Sequence, residues 1–147
     1  MTRKDELFQS FHIKGGDFNR AGNVSTEVKE ILREIGIAPE IIRRVAIASY
    51  EAEMNVVMYA QEGELSLVLN PRAIKIEVDD QGQGIENIEL AMQEGYSTAT
   101  EEMREMGFGA GMGLPNIKRN SDLFTITSIP GEGTFLRMIF FLEKEHD

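Results

Sequence analysis

The sequence predicts an α+β domain built as a two-layer sandwich, a mixed sheet covered by helices on one face. Three observations carry this reading. Apolar residues recur at helical spacing between about 18 and 60, and with a period of two between 64 and 78. Strand-like alternation then returns over 123–142, around a Pro-Gly-Glu-Gly turn. Strands and helices in this mixed order suit helices layered on a sheet.

Residues 7–13 (Leu-Phe-Gln-Ser-Phe-His-Ile) read as a first strand, closed by Gly15-Gly16, with Asp17 placed to cap the next element. Val24, Val28, Ile31, Leu32 and Ile35 mark a helix over 18–35 that Gly36 ends. Pro39 suits the first turn of a second helix, which runs to about Ala60. Residues 64–69 and 72–78 form a pair of strands joined through Asn70-Pro71. A glycine-rich loop occupies 80–84 and a short helix lies near 87–94. Residues 95–113 are polar, methionine-containing and glycine-rich, the composition of a mobile lid. A helix starts around Leu114-Pro115. Two strands, 123–129 and 133–142, close the chain around the turn Pro130 to Gly133.

At 147 residues the chain has the size of one domain, taken as 1–147. That length supports a core without disulfide or metal staples. The chain has no cysteine, which excludes disulfide frameworks, zinc ribbons and thiol catalysis. Fifteen basic residues against 25 acidic ones give a net charge of −10. Nucleic acid is therefore not an expected partner, because phosphate neutralisation needs a basic surface. A single nucleotide stays compatible, since backbone N–H groups, a metal ion and one or two local cations hold a triphosphate. No apolar run approaches the roughly 18 residues of a membrane span. The start, Met-Thr-Arg-Lys-Asp-Glu, lacks the apolar region of a signal peptide. The expectation is a cytoplasmic protein without membrane contact.

Four short motifs carry the chemistry. In Glu51-Ala-Glu-Met-Asn55 the outer residues are four apart and share one helical face. A carboxylate accepts a proton from an attacking hydroxyl, and an amide oxygen is a hard ligand suited to Mg²⁺. Alone, the pair reads equally as a solvated helix face. In Asp80-Gln-Gly82-Gln-Gly84, a carboxylate after a strand can accept a hydrogen bond from an exocyclic amine such as adenine N6, and the glycines let backbone approach a flat base. An ordinary acidic turn has the same look. Gly107-Phe-Gly109-Ala-Gly111-Met-Gly113-Leu114 alternates glycines and then opens a helix, whose free N–H groups receive phosphates; Lys118 and Arg119 add local positive charge. It is neither the dinucleotide fingerprint nor a Walker A loop. Gly131-Glu-Gly133-Thr134 enters the last strand with a hydroxyl able to support a carboxylate.

The order and spacing of these motifs over residues 39–142 resemble the N, G1, G2 and G3 boxes of the GHKL ATPases (gyrase, heat-shock chaperone, histidine kinase, MutL). Within that superfamily the chain looks like the anti-sigma-factor serine kinases and switch kinases of bacterial partner-switching modules. Gly95-Tyr-Ser-Thr98 and Gly113-Leu-Pro-Asn-Ile-Lys-Arg119 carry the likeness to the switch kinases. The acidic insert Thr100-Glu-Glu-Met-Arg-Glu105 departs from them.

The resemblance implies the GHKL fold, ATP and Mg²⁺ as cofactors, Glu51 as catalytic base and Asn55 as Mg²⁺ ligand. It implies that Asp80 reads adenine N6 in a pocket shaped by Gly82 and Gly84, with Thr134 behind it. Gly107, Gly109, Gly111 and Gly113, with Leu114 and Lys118, would receive the phosphates. It further implies a STAS-domain substrate, with a sigma factor or a phosphatase as second partner, and allows a homodimer. The leading reading is a protein serine/threonine kinase. A nucleotide-gated binding protein without useful kinase activity is the alternative. The detached catalytic half of a histidine kinase is weaker, since the chain's histidines, His12 and His146, fall in a strand and at the tail. A eukaryotic-type kinase is disfavoured: Val45-Ala46-Ile47 is followed by Ala48 where that fold needs lysine, and Asp-Phe-Gly does not occur.

Overall fold

The computed structural model describes residues 6–93, 101 and 113–142. The chain order is β1 (Leu7–Lys14), a 3-10 turn (Phe18–Arg20), α1 (Asn23–Ile35), α2 (Pro39–Tyr59), β2 (Ala60–Leu69) and β3 (Ala73–Gly82). It continues with α3 (Ile88–Ala91), α4 (Gly113–Asn120), β4 (Leu123–Ile129) and β5 (Gly133–Phe141). Each expected strand and helix is present. The expected lid over 95–113 falls, apart from Glu101 and Gly113, outside the described residues.

The sheet has five strands in the order β1-β2-β3-β5-β4, and every neighbouring pair is antiparallel. A mixed sheet was the expectation. The difference arises in the connection between β1 and β2. A single crossover helix returns the chain to its starting end and gives a parallel pair. Here two helices run out and back, so β2 starts at the end where β1 stopped. Backbone bonds from Gly15 N to Gln61 O (2.9 Å) and Gly16 N to Val57 O (2.7 Å) close that junction. The hairpin at 70–73 is fixed by the Asn70 side chain, which accepts from the N–H of Arg72 and of Ala73.

Period-two patterning decides which face is covered. Leu65, Leu67 and Leu69, then Ile74, Ile76 and Val78, then Leu136, Met138 and Phe140 are all buried on one face. Helix α2 lies on this face and buries Ile42, Val45, Ala48, Ala52, Met54, Val56 and Val57, so it is apolar on most sides. Helices α1 and α4 flank α2. Among the described residues no helix covers the opposite face, as expected for helices on one side only. There Glu77 pairs with Arg137 at 2.7 Å, and Phe8 is 68% exposed. No helix among the described residues is long and apolar enough to cross a membrane.

Two boundaries differ from the sequence reading. Helix α1 starts at Asn23, not 18, because Gly22 sits in the left-handed region and the Glu53 side chain of α2 holds the α1 N-terminus. Strand β3 runs on through Asp80 to Gly82 instead of giving way to a loop at 80. Its pairing with β2 continues across a bulge to Ala60 opposite Gly82, and β5 pairs with it as far as Asp80–Thr134.

Candidate nucleotide site

Helix α2 presents Glu51 and Asn55 to the start of α4. Both side chains are half-buried. A Cβ added at Gly113 would stand 3.4 Å from Asn55 Oδ1 and 3.7 Å from Glu51 Oε1, so the bare backbone of the fourth motif glycine faces both polar groups. Glu51 Oε2 accepts a hydrogen bond from Asn116 Nδ2 at 3.1 Å. Asn116 Oδ1 in turn accepts from Arg119 Nη1 at 3.0 Å, which fixes which end of the amide meets Glu51. Helix α4 is itself anchored. Arg44 of α2 donates through Nε to the Asn120 carbonyl at 3.1 Å and through Nη2 to Asp122 at 2.9 Å, so the C-terminus of α4 has a cation on its free carbonyl.

On the sheet side, Asp80 and Thr134 are register partners on β3 and β5. The Thr134 N–H donates to Asp80 Oδ1 at 3.2 Å. Among the described residues the second carboxylate oxygen accepts no bond, and it remains available to a ligand amine. Burial pushes the pKa of Asp80 above its ordinary value; the nearby Asp79 charge adds to the rise and the Thr134 N–H opposes it. Three glycines are required by contact here: at Gly82 a Cβ would stand 2.8 Å from the Tyr59 carbonyl oxygen. At Gly133 a Cβ would stand 2.1 Å from the Asp80 carbonyl oxygen. At Gly84, with φ +75°, it would stand 2.4 Å from the Ile129 carbonyl oxygen. Gly82 ends β3 with its α-carbon against the Tyr59–Ala60 backbone.

The structure thus gathers Glu51, Asn55 and Gly113 in one place, and Asp80, Gly82, Gly84 and Thr134 in a second, at the end of the sheet. Leu114 turns its side chain into the core, 6% exposed, so only its backbone is available at the helix start. Lys118 is exposed on α4, and Gly107, Gly109 and Gly111 lie outside the described residues. Asn116 was missed. It lies three residues past Gly113, hence on the same helical face, which is the spacing that would have found it.

The Glu51 motif holds a second carboxylate that the sequence reading passed over. Glu53 is 2% exposed and points away from the site. Its Oε2 accepts from the N–H of Gly22 (3.0 Å) and Val24 (3.2 Å), and its Oε1 from that of Ser25 (2.9 Å). These are the free donors at the start of α1, and an anion there also meets the positive end of the helix.

The motifs form two clusters: a helix with an acid and an amide facing a glycine-bounded helix start, and a carboxylate braced at a sheet end. A family model described as a histidine kinase-like ATPase domain matches residues 17–140. The chain belongs to that family. Among its curated relatives, the serine/threonine-protein kinase RsbT of Bacillus subtilis (strain 168) is 31% identical over 118 residues, covering 78% of this chain and 83% of that protein. The anti-sigma F factor of Thermoanaerobacter sp. (strain X514) is 34% identical over 111 residues, covering 72% and 74%. In fold, the chain resembles the RsbU and RsbW domains of a Mycobacterium tuberculosis protein, with a TM-score of 0.62 and 18% identity; the match covers 93% of this chain and 33% of that one. It also resembles the SiaB-SiaC complex of Pseudomonas aeruginosa, with a TM-score of 0.56 and 13% identity over 95% and 92% of the two chains. The domain is a GHKL-type ATPase domain of the serine/threonine-kinase and anti-sigma-factor branch, and ATP use goes with that family.

Proposed function

We propose that the protein is an ATP-dependent serine/threonine kinase that phosphorylates a small STAS-domain protein in a bacterial partner-switching pathway. The observation that carries the reading is the convergence of Glu51 and Asn55 on the backbone of Gly113. A protein that only sensed nucleotide would need the adenine and phosphate walls, but no base aimed at the helix start. Relatives named as a serine/threonine kinase and an anti-sigma factor support the same reading.

The donor set fits Mg²⁺–ATP. Among the described residues no group of three acids or histidines is gathered to hold a metal. A magnesium ion that travels with a triphosphate takes most of its shell from phosphate and water, and needs only one or two protein oxygens. Asn55 Oδ1 offers one. When bound, Mg²⁺–ATP supplies the γ-phosphoryl group and neutralises its charge. Asp80 accepts the adenine amine, held in place by Thr134. Gly113 and the N–H groups opening α4 leave room and donors for phosphate oxygens, with Lys118 nearby. Glu51, oriented by Asn116, would take the proton from the partner's serine hydroxyl, whose oxygen would gain the γ-phosphoryl group as the bond from that phosphorus to the departing ADP breaks. Catalysis of this kind is mainly positioning and charge neutralisation. We place the protein in the cytoplasm, with a sigma factor or a phosphatase as second partner, and the family resemblance allows a homodimer.

The test is incubation with Mg²⁺–ATP and STAS-domain proteins, followed by mass spectrometry of the partner. A phosphoserine formed by wild-type protein is expected. Nucleotide-dependent capture of a partner that never becomes phosphorylated would establish a gated binder in place of a kinase. Calorimetry with Asp80→Asn checks the adenine wall: ATP and ADP should both weaken about 10- to 100-fold, the effect of one lost bond to a charged group. Unchanged affinity would remove Asp80 from the pocket.

A further inference from the structure

Ser128 stands on β4 opposite Thr134 of β5, one residue before the strand ends. Its hydroxyl is unusually busy. The Ile85 N–H donates to Ser128 Oγ at 2.7 Å. The same oxygen lies 3.1 Å from the Gly133 carbonyl and 2.9 Å from Thr134 Oγ1. A serine hydroxyl has one proton and two lone pairs. One lone pair is taken by Ile85. If the proton goes to the Gly133 carbonyl, the Thr134 hydroxyl fills the second lone pair and the group is saturated. If it goes to Thr134 Oγ1, the Thr134 proton is free to turn towards the pocket. Both arrangements keep the two hydroxyls joined.

These bonds connect two walls. One wall is the segment 83–85 after β3. It is fastened to the β4–β5 hairpin by Gly131 N donating to the Gln83 carbonyl at 2.7 Å, by the packing of Gly84 on the Ile129 carbonyl, and by the Ile85–Ser128 bond. The other wall is the pair Asp80–Thr134, braced by the Thr134 N–H and by the approach of Gly133 to the Asp80 carbonyl. Among the described residues, Ser128 is the side chain that bonds both. Without its hydroxyl, Ile85 would have a half-buried N–H with no acceptor, and the Thr134 side chain would lose its partner.

We propose that Ser128 is a positioning residue of the nucleotide pocket. Its hydroxyl sets the separation between the glycine wall at 83–85 and the purine-reading carboxylate of Asp80, so that both meet the base as a preformed pair. Preorganisation of this kind acts on binding. It acts equally on any ligand sharing the adenine, whatever the number of its phosphates. This inference rests on the reading of Asp80 as the adenine acceptor.

A matched pair of variants isolates the hydroxyl. Ser128→Thr and Ser128→Val have nearly the same shape, and both residues favour strands, so the fold is retained. They differ by the group in question. Calorimetry with ADP and with a non-hydrolysable ATP analogue should give Ser128→Thr within about twofold of wild type and Ser128→Val about tenfold weaker for both ligands, the effect of one net hydrogen bond. In phosphoryl transfer to the partner, Ser128→Val should raise KM for ATP by a similar factor and leave kcat at saturating ATP unchanged. Amide exchange in the free protein should speed up at Ile85 in Ser128→Val and not in Ser128→Thr. Equal ADP affinity in the two variants would overturn the proposal, as would a loss of kcat at unchanged KM. If wild-type protein itself failed to bind ADP, the nucleotide reading would fall, and this inference with it.

Discussion

Glu51 and Glu53 are two residues apart on α2, roughly 200° around its axis, and their surroundings are opposite. Glu51 is half-buried, accepts one bond from an amide side chain and keeps an oxygen 3.7 Å from the point where a Gly113 Cβ would stand. Glu53 is almost wholly buried and accepts three backbone N–H groups from the start of α1. One carboxylate faces the start of α4 and the other closes the start of α1. A carboxylate saturated by fixed donors has nothing left for a substrate, while one held by a single side chain can still take a proton. The difference teaches that two acids of a Glu-x-Glu pair on one helix can have opposite surroundings, and that their partners, not their spacing, distinguish the accessible acid from the structural one.

The largest expected effect tests the reactive side. Glu51→Gln keeps size and shape and removes the base. Phosphoryl transfer should fall about 10²- to 10⁴-fold, the usual range for a lost general base, with nucleotide affinity and melting temperature almost unchanged. Quantitative phosphoserine formation on the partner checks the rate, and calorimetry the affinity. Equal rates in wild type and variant would return Glu51 to a solvated helix face and erase the comparison.

The structural side should show the reverse pattern. In Glu53→Gln the amide has one acceptor oxygen and turns an NH₂ towards backbone donors that cannot accept. Losing charge-assisted bonds at a buried site costs about 2–4 kcal/mol. For a domain of this size that lowers Tm by about 5–12 °C. Denaturant unfolding and amide exchange at the start of α1 would show it. Below the new melting temperature, the rate per folded molecule should stay within about twofold of wild type, because Glu53 touches no part of the site. A stable Glu53→Gln with normal exchange at Val24 and Ser25 would refute the clamp.

These two acids also mark what the sequence could and could not disclose. Period-two runs identified the covered sheet face, and Gly36 and Pro39 fixed the junction between the helices, because those signals are local. The true start of α1 was not legible, since Gly22 and Asn23 are organised by Glu53, some 30 residues away in sequence. The extension of β3 through Gly82 depended on pairing with Ala60, again a tertiary fact. In the candidate site, Glu51, Asn55 and Asp80 were proposed from residue type and spacing. The resemblance had set Thr134 behind Asp80, and the register pairs the two; that Asn116 holds Glu51 required the packing of α4 on α2.

Asn116 sharpens the contrast by a smaller step. Asn116→Ala removes the one side-chain donor seen on Glu51 and leaves the carboxylate in place. The loss of one charge-assisted bond corresponds to about tenfold in rate. KM for ATP should hold. A fall in ATP affinity at unchanged kcat would make Asn116 a packing residue of α4.

The smallest effect concerns the third carboxylate, Asp80, which stands between the other two in character: braced on one oxygen and open on the other. Burial raises its pKa in the folded protein above the ordinary value of 3.8, helped by Asp79 and opposed by the Thr134 N–H. The direction fixes the sign. Between 3.8 and the folded value the native state holds more proton at this position than the unfolded chain does. Stability therefore falls as pH rises through that window, and the ionised group continues to destabilise the free protein at neutral pH. Asp80→Asn retains an oxygen for the Thr134 N–H and has no charge to desolvate. Without ligand, the variant should melt slightly above wild type at pH 7, by about 1–2 °C, and this advantage should shrink as pH falls through the folded pKa. With saturating ADP the order should invert, because wild type gains more from binding than a variant with a weakened adenine contact. Thermal unfolding across pH 4–8, with and without ADP, tests both halves. A difference in Tm that does not vary with pH would show that the charge of Asp80 is not what destabilises the free domain. The purine wall would then carry no stability penalty of the kind a ligand relieves.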